Sequence, residues 1–143
     1  MRLFYPALRC LGQGREATTM ATRDIKIEDF VGLTFEKIDG MVDGSREIVF
    51  WTVDGRKFVM GHEQDCCENV RLVDLDGEVE NLIGTPIVYA YMEVGNLKGP
   101  NHVFESMTWT FYRLGGMKGG VTLRWLGESN GYYSESVDIV KCN

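Results

Sequence analysis

Apolar and polar residues alternate in short runs along most of this chain, and glycine-bearing turns separate the runs. Ile25 to Gly32 is too short for a full helix, and Gly32 stops it after one turn. Leu33-Thr34-Phe35-Glu36-Lys37-Ile38 then alternates as a half-buried strand does. After turns at Asp39-Gly40 and Asp43-Gly44 comes Glu47 to Thr52. Val53-Asp54-Gly55-Arg56 reverses it into Lys57 to Met60, and a DG pair between β-branched and aromatic runs is a strong hairpin signal. Beyond a polar loop, Val70 to Leu75 alternates at Val70, Leu72 and, less regularly, Leu75. Glu78 to Ile83 reads as a second helical turn closed by Gly84. Ile87 to Val94 is an apolar strand, and residues 95–105 read as an exposed loop. Met107 to Tyr112 and Val121 to Trp125 form a long hairpin, and Tyr133 to Val140 closes the chain.

This order contains an echo. Ile27-Glu28-Asp29-Phe30-Val31-Gly32 is matched by Val79-Glu80-Asn81-Leu82-Ile83-Gly84. Downstream of each, a hairpin runs into a polar loop: Gly61-His62-Glu63-Gln64-Asp65-Cys66-Cys67 and Gly127-Glu128-Ser129-Asn130-Gly131-Tyr132-Tyr133. The pattern predicts a mainly β chain at the α+β border, either an antiparallel sandwich or a curved, partly closed sheet. It has two short helical turns and is built from two related halves. The two polar loops are then expected to be counterparts.

At 143 residues the chain suits one domain, placed at 24–143, and a core of that size needs neither disulfides nor metal. Residues 1–23 read as a disordered or non-native extension. Met20 resembles a start, and Pro6, Gly12 and Gly14 interrupt any amphipathic helix. The formal charge is −6. Residues 1–19 hold three arginines against Glu16 (3 − 1 = +2), leaving −8 on the rest. An acidic body argues against a nucleic-acid backbone as partner. Cysteines at 10, 66, 67 and 142 include no CxxC, and the adjacent pair is not expected to bridge. That pattern fits a reducing compartment. No apolar run reaches membrane-spanning length.

The first loop concentrates imidazole, carboxylate and thiol in His62, Glu63, Gln64, Asp65, Cys66, Cys67 and Glu68. A metal would find an incomplete ligand set there. A thiol activated by His62 would be opposed by the surrounding acids. The loop also reads as a recognition surface, or as a structural one in which His62 and Glu63 satisfy turn backbone and one cysteine packs inward. In the second loop Glu128, Ser129, Asn130, Tyr132 and Tyr133 offer hydroxyls, a carboxamide and rings suited to stacking on a flat ligand. Ser129 lacks a nucleophile motif, and His102 lies in the 95–105 segment. Arg124 is the first-choice cation for an anionic ligand.

The strings His62-Glu63-Gln64-Asp65-Cys66-Cys67 and Glu128-Ser129-Asn130-Gly131-Tyr132-Tyr133, with Leu82 to Pro86 and Thr108 to Tyr112, resemble a family of small phage and prophage proteins of unknown function. The resemblance covers roughly residues 27–138. It implies a viral or mobile-element accessory protein in the host cytoplasm and supplies no catalytic residues. The expectation is therefore a non-catalytic protein, with no cofactor or metal, that sequesters a polar or nucleotide-like signal or binds a host protein, and whose assembly into homo-oligomers is left open. Its ligand-binding residues are expected to be His62, Glu63, Gln64, Asp65, Arg124, Glu128, Ser129, Asn130, Tyr132 and Tyr133. The alternatives are a small hydrolase or metal-dependent enzyme centred on His62, Glu63 and Glu128, and a structural or virion-assembly protein.

Overall fold

The computed structural model describes residues 21–22, 25–64, 66–97 and 106–142. Its strands are β1 (Ala21–Thr22), β2 (Phe35–Asp39), β3 (Glu47–Thr52), β4 (Lys57–Gly61), β5 (Asn69–Gly77), β6 (Tyr89–Leu97), β7 (Ser106–Gly116), β8 (Gly119–Ser129) and β9 (Asp138–Cys142). Two 3-10 turns, Ile27–Phe30 and Val79–Leu82, precede β2 and β6. The strands form a five-stranded sheet ordered β1-β9-β4-β3-β2 and a four-stranded sheet ordered β5-β8-β7-β6. Every named strand pair is antiparallel. The fold is mainly β, as the alternation predicts, and it is not a closed barrel. Of the segment 1–23, Ala21–Thr22 pairs with the end of β9, and the rest lies outside the described residues.

The expected repeat is written in the topology. Each half runs 3-10 turn, three-stranded meander, crossing loop, final strand. Replacing β2, β3, β4 and β5 by β6, β7, β8 and β9, and the reverse, turns the order β9-β4-β3-β2 into β5-β8-β7-β6. Each half therefore lends its last strand to the other half's sheet. The backbone hydrogen bonds repeat at a fixed offset (84 − 32 = 52). Gly32 N–H donates to Ile87 O at 2.8 Å, and Gly84 N–H donates to Phe35 O at 2.9 Å. Asp29 to Lys26 and Asn81 to Glu78 close the turns alike, as do Val31 to Glu28 and Ile83 to Glu80. The bridge between Thr34 and Pro86 lies where the two halves cross.

The core fills the space between the sheets. Phe30 sits edge-on to Phe35, Phe50 and Phe58, with ring centroids 5.0–5.2 Å apart. Ile48, Met60, Leu72, Leu114, Leu123 and Trp125 complete it and are fully buried. A bulge between Leu72 and Asp74 shifts the register of β5, which is why Leu75 packs inward despite its irregular spacing.

Candidate functional site

The two polar loops meet because of the strand exchange. β4 leaves the first sheet beside β9, with Gly61 paired to Asp138, and β5 enters the second sheet beside β8, with Asn69 paired to Glu128. The β4–β5 and β8–β9 crossings thus run side by side between the sheets. They are counterparts in topology but not residue for residue. Met60 faces the core before Gly61, whereas Gly127 shares the inward side of β8 with Trp125.

The contact between the loops closes His62 off from solvent. Its Nδ1 lies 2.8 Å from Ser136 O and its Nε2 lies 2.7 Å from Glu68 Oε2. The side chains of His62 and Glu68 are 5% and 0% exposed. A carbonyl can only accept, so Nδ1 donates to Ser136, and Nε2 meets the Glu68 carboxyl through a proton held between them. Glu68 Oε1 also accepts from Cys66 N–H at 2.9 Å. Gln64 Nε2 donates to Glu68 O at 2.6 Å and to Cys66 O at 3.3 Å, stitching the loop to itself. Glu63 is half-buried, and Asp65 lies outside the described residues, as does His102. One expectation is corrected: Cys66 and Cys67 are disulfide-bonded to each other, in an exposed turn. Among the described residues no cysteine is free.

In the second loop the buried centre is Glu135, which the sequence reading did not single out. It accepts from Thr108 Oγ1 at 2.6 Å and from Ser129 Oγ in a short hydrogen bond, while Ser129 Oγ accepts from Gly131 N–H at 2.9 Å. Ser129 is 1% exposed. Gly127 permits this closure, since a Cβ there would stand 2.6 Å from Glu135 O. Asn130 Oδ1 accepts from Tyr132 N–H at 2.9 Å and so shapes a turn. Gln64, its counterpart by position, instead donates to carbonyls. Tyr132 is 79% exposed, with Tyr133 perpendicular to it and half-buried. Glu128 pairs with Arg71 at 2.9 Å. Among the described residues no group of three or more His, Cys, Asp or Glu is placed to hold a metal ion.

Arg124 stands apart from this closure, four residues along β8 from Glu128 and so roughly 13 Å away. It lies on the outer face of the second sheet in a register row with Asp74 on β5 and Phe111 on β7, beyond which Glu93 on β6 follows. Its guanidinium lies 5.6 Å from the Trp109 ring centroid and its Nη1 is 3.4 Å from Asp74. Its Nε is buried with no hydrogen-bond partner. Arg113 repeats the arrangement one row on, 5.7 Å from the Phe111 centroid and bonded to Glu93 at 2.6 Å. The Trp109 and Phe111 rings stack 6.3 Å apart, inclined by 28°. A depression of about 340 Å³ opens here, lined by Asp74, Leu75, Asp76, Phe111, Arg113, Thr122 and Arg124. The signal for it is the two-residue period of β7: Trp109, Phe111 and Arg113 share one face, while Thr110, Tyr112 and Leu114 are buried on the other.

The model of the family described as Domain of unknown function (DUF7448) matches residues 28–139. No curated protein and no solved structure matches the chain.

Proposed function

The chain belongs to the DUF7448 family, a domain of unknown function, and from that premise we propose that it is a non-catalytic binding protein for a planar, polar, nucleotide-like small molecule. The ligand would sit in the depression around Phe111, Arg113, Thr122 and Arg124. The observation that carries this reading is Arg124, whose guanidinium is laid over Trp109, makes a 3.4 Å contact with Asp74 and keeps an unpartnered Nε. A ring of the ligand would stack on Phe111, the arginines would donate to its acceptors, and Asp74 and Asp76 would accept from its amino or hydroxyl groups. A volume near 340 Å³ falls at the lower end of the range for small-molecule pockets.

Charge narrows the class. Arg113 and Arg124 are balanced by Asp74 and Asp76, and Glu93 already bonds Arg113. A triphosphate would meet no net positive field there, so nucleosides and singly charged or cyclic nucleotides suit the site better. The chemically richest side chains of the two loops support a non-catalytic reading, because His62, Glu68, Ser129 and Glu135 are used up in buried hydrogen bonds. In the setting the sequence resemblance implies, the protein would sequester such a molecule as a phage or mobile-element accessory in the host cytoplasm.

Thermal-shift and calorimetric titration with nucleosides, cyclic nucleotides and nucleoside triphosphates tests this. The expected result is saturable binding of a nucleoside or cyclic nucleotide, lost in Arg124→Ala and weakened in Phe111→Ala. Binding of none of them, or binding unaltered by either substitution, overturns it.

A further inference from the structure

A second concavity, larger than the first, lies on the opposite side of β7. It has a volume of about 710 Å³ and opens between the Ile25–Glu28 segment, β6, β7 and the start of β9. Ile25, Ile27, Met92, Tyr112, Val137 and Ile139 give it an apolar body. It exists because the first 3-10 turn does not cover the whole inward side of β6. Ala90 is buried on that side, while Met92 and Val94 are 46% and 54% exposed.

The polar groups are few and mostly of one sign. Among the described residues, Glu28 and Asp138 line the cleft with Lys26 as the one cation, a net charge of −1. Tyr112 is 2% exposed, and its hydroxyl makes a long bond, 3.5 Å, to Val137 O. The Tyr112 hydroxyl is held well above its ordinary pKa, first by burial and then by the negative charges of Asp138 and Glu28. Both carboxylates therefore act on the interior of the cleft as well as on solvent.

We propose that this cleft binds a small organic ammonium ion, with its apolar body against Ile25, Ile27, Met92 and Ile139 and its ammonium group toward Glu28 and Asp138. Among the described residues, an anion would face the two carboxylates with only Lys26 to offset them. A neutral molecule of the same shape would gain the apolar burial alone. A site of this size with few convergent polar groups matches the general form of small-ligand pockets. This ligand and this cleft are independent of the depression around Arg124.

The test uses the full chain and three compounds of one shape: 4-phenylbutylamine, 4-phenyl-1-butanol and 4-phenylbutyrate. Calorimetry gives affinity, and methyl chemical shifts of Ile27, Ile139 and Met92 report location. The amine is expected to bind saturably with shifts at those methyls, about tenfold or more tighter than the alcohol, and the butyrate weakest. Glu28→Gln with Asp138→Asn should reduce amine affinity to that of the alcohol. Met92→Trp, at a partly exposed position, should block the cleft while the fold persists. Arg124→Ala should leave amine binding unchanged. No binding of the amine, equal binding of alcohol or butyrate, or an unaltered affinity in the double variant would each overturn the proposal.

Discussion

His62 Nε2 and Glu68 Oε2 stand 2.7 Å apart with almost no solvent around either side chain, and the other ring nitrogen of His62 reaches across to Ser136 O. One imidazole thus ties both crossings together. Removing either partner of a buried hydrogen-bonded pair leaves the other desolvated, at a cost of about 1–3 kcal/mol, more where the remaining group is charged. His62→Ala and Glu68→Ala are each expected to destabilise the protein by about that amount in urea unfolding. The double variant should cost well under the sum. Additive losses would show that the two side chains do not act as a pair.

Gly127 makes a sharper test of the second crossing. An added Cβ would stand 2.6 Å from Glu135 O and 2.7 Å from Glu135 Cβ, so the β8–β9 loop must move. Gly127→Ala should therefore cost about 1–3 kcal/mol, as overpacking typically does. Ser129→Ala should cost a comparable amount by leaving Glu135 short of a donor. Proton–deuterium exchange at Gly131 N–H, which bonds Ser129 Oγ, should accelerate in both.

Much of the fold was legible in the residues, because local chemistry decides it. Gly32 and Gly84 stop two helical turns, and Gly55 at φ +95° makes the hairpin of β3 and β4. Alternation marked Val70 and Leu72 as one side of β5, and both are buried. The exchange of β5 and β9 between sheets was not legible, since it is set by packing between segments far apart in sequence. For the same reason nothing in the sequence marked Glu135, whose carboxyl is fixed by Thr108 on a different strand. Arg124 was identified as a cation of interest, but its neighbours Asp74 and Phe111 come from other strands, and only register brings them into one row.

The β3–β4 turn carries a pH dependence. Asp54 is held well below the usual carboxylate range, first by its side-chain bonds with Arg56, then by Thr52. Arg56 grips it at two points, 2.7 and 3.1 Å. A depressed folded-state pKa stabilises the folded form above the ordinary value of about 3.9, and that contribution fades as pH falls through the folded value. Exchange protection of Arg56 N–H, which bonds Thr52 Oγ1 at 2.8 Å, should hold at neutral pH and weaken progressively below pH about 4. Asp54→Asn should flatten that acid-side weakening. A profile identical to the parent's would mean that another group controls the turn.

The twofold repeat predicts matching costs at Gly32 and Gly84. Their φ angles are +96° and +89°, and a Cβ on Gly32 would meet nothing within 4 Å, while one on Gly84 would meet only the Lys118 ammonium at 4.0 Å. Crowding is thus excluded at both, and the cost of alanine comes from the left-handed backbone alone, about 1–2 kcal/mol. The hydrogen bonds at stake are also equivalent, Gly32 to Ile87 and Gly84 to Phe35. Gly32→Ala and Gly84→Ala should therefore destabilise by similar amounts in urea unfolding, with unchanged denaturant slopes. Asparagine, which tolerates this conformation better, should recover part of the loss at either position. If one glycine proved indifferent and the other costly, the two turns would not bear equal parts of the fold, and the equivalence of the halves would be a matter of strand order alone.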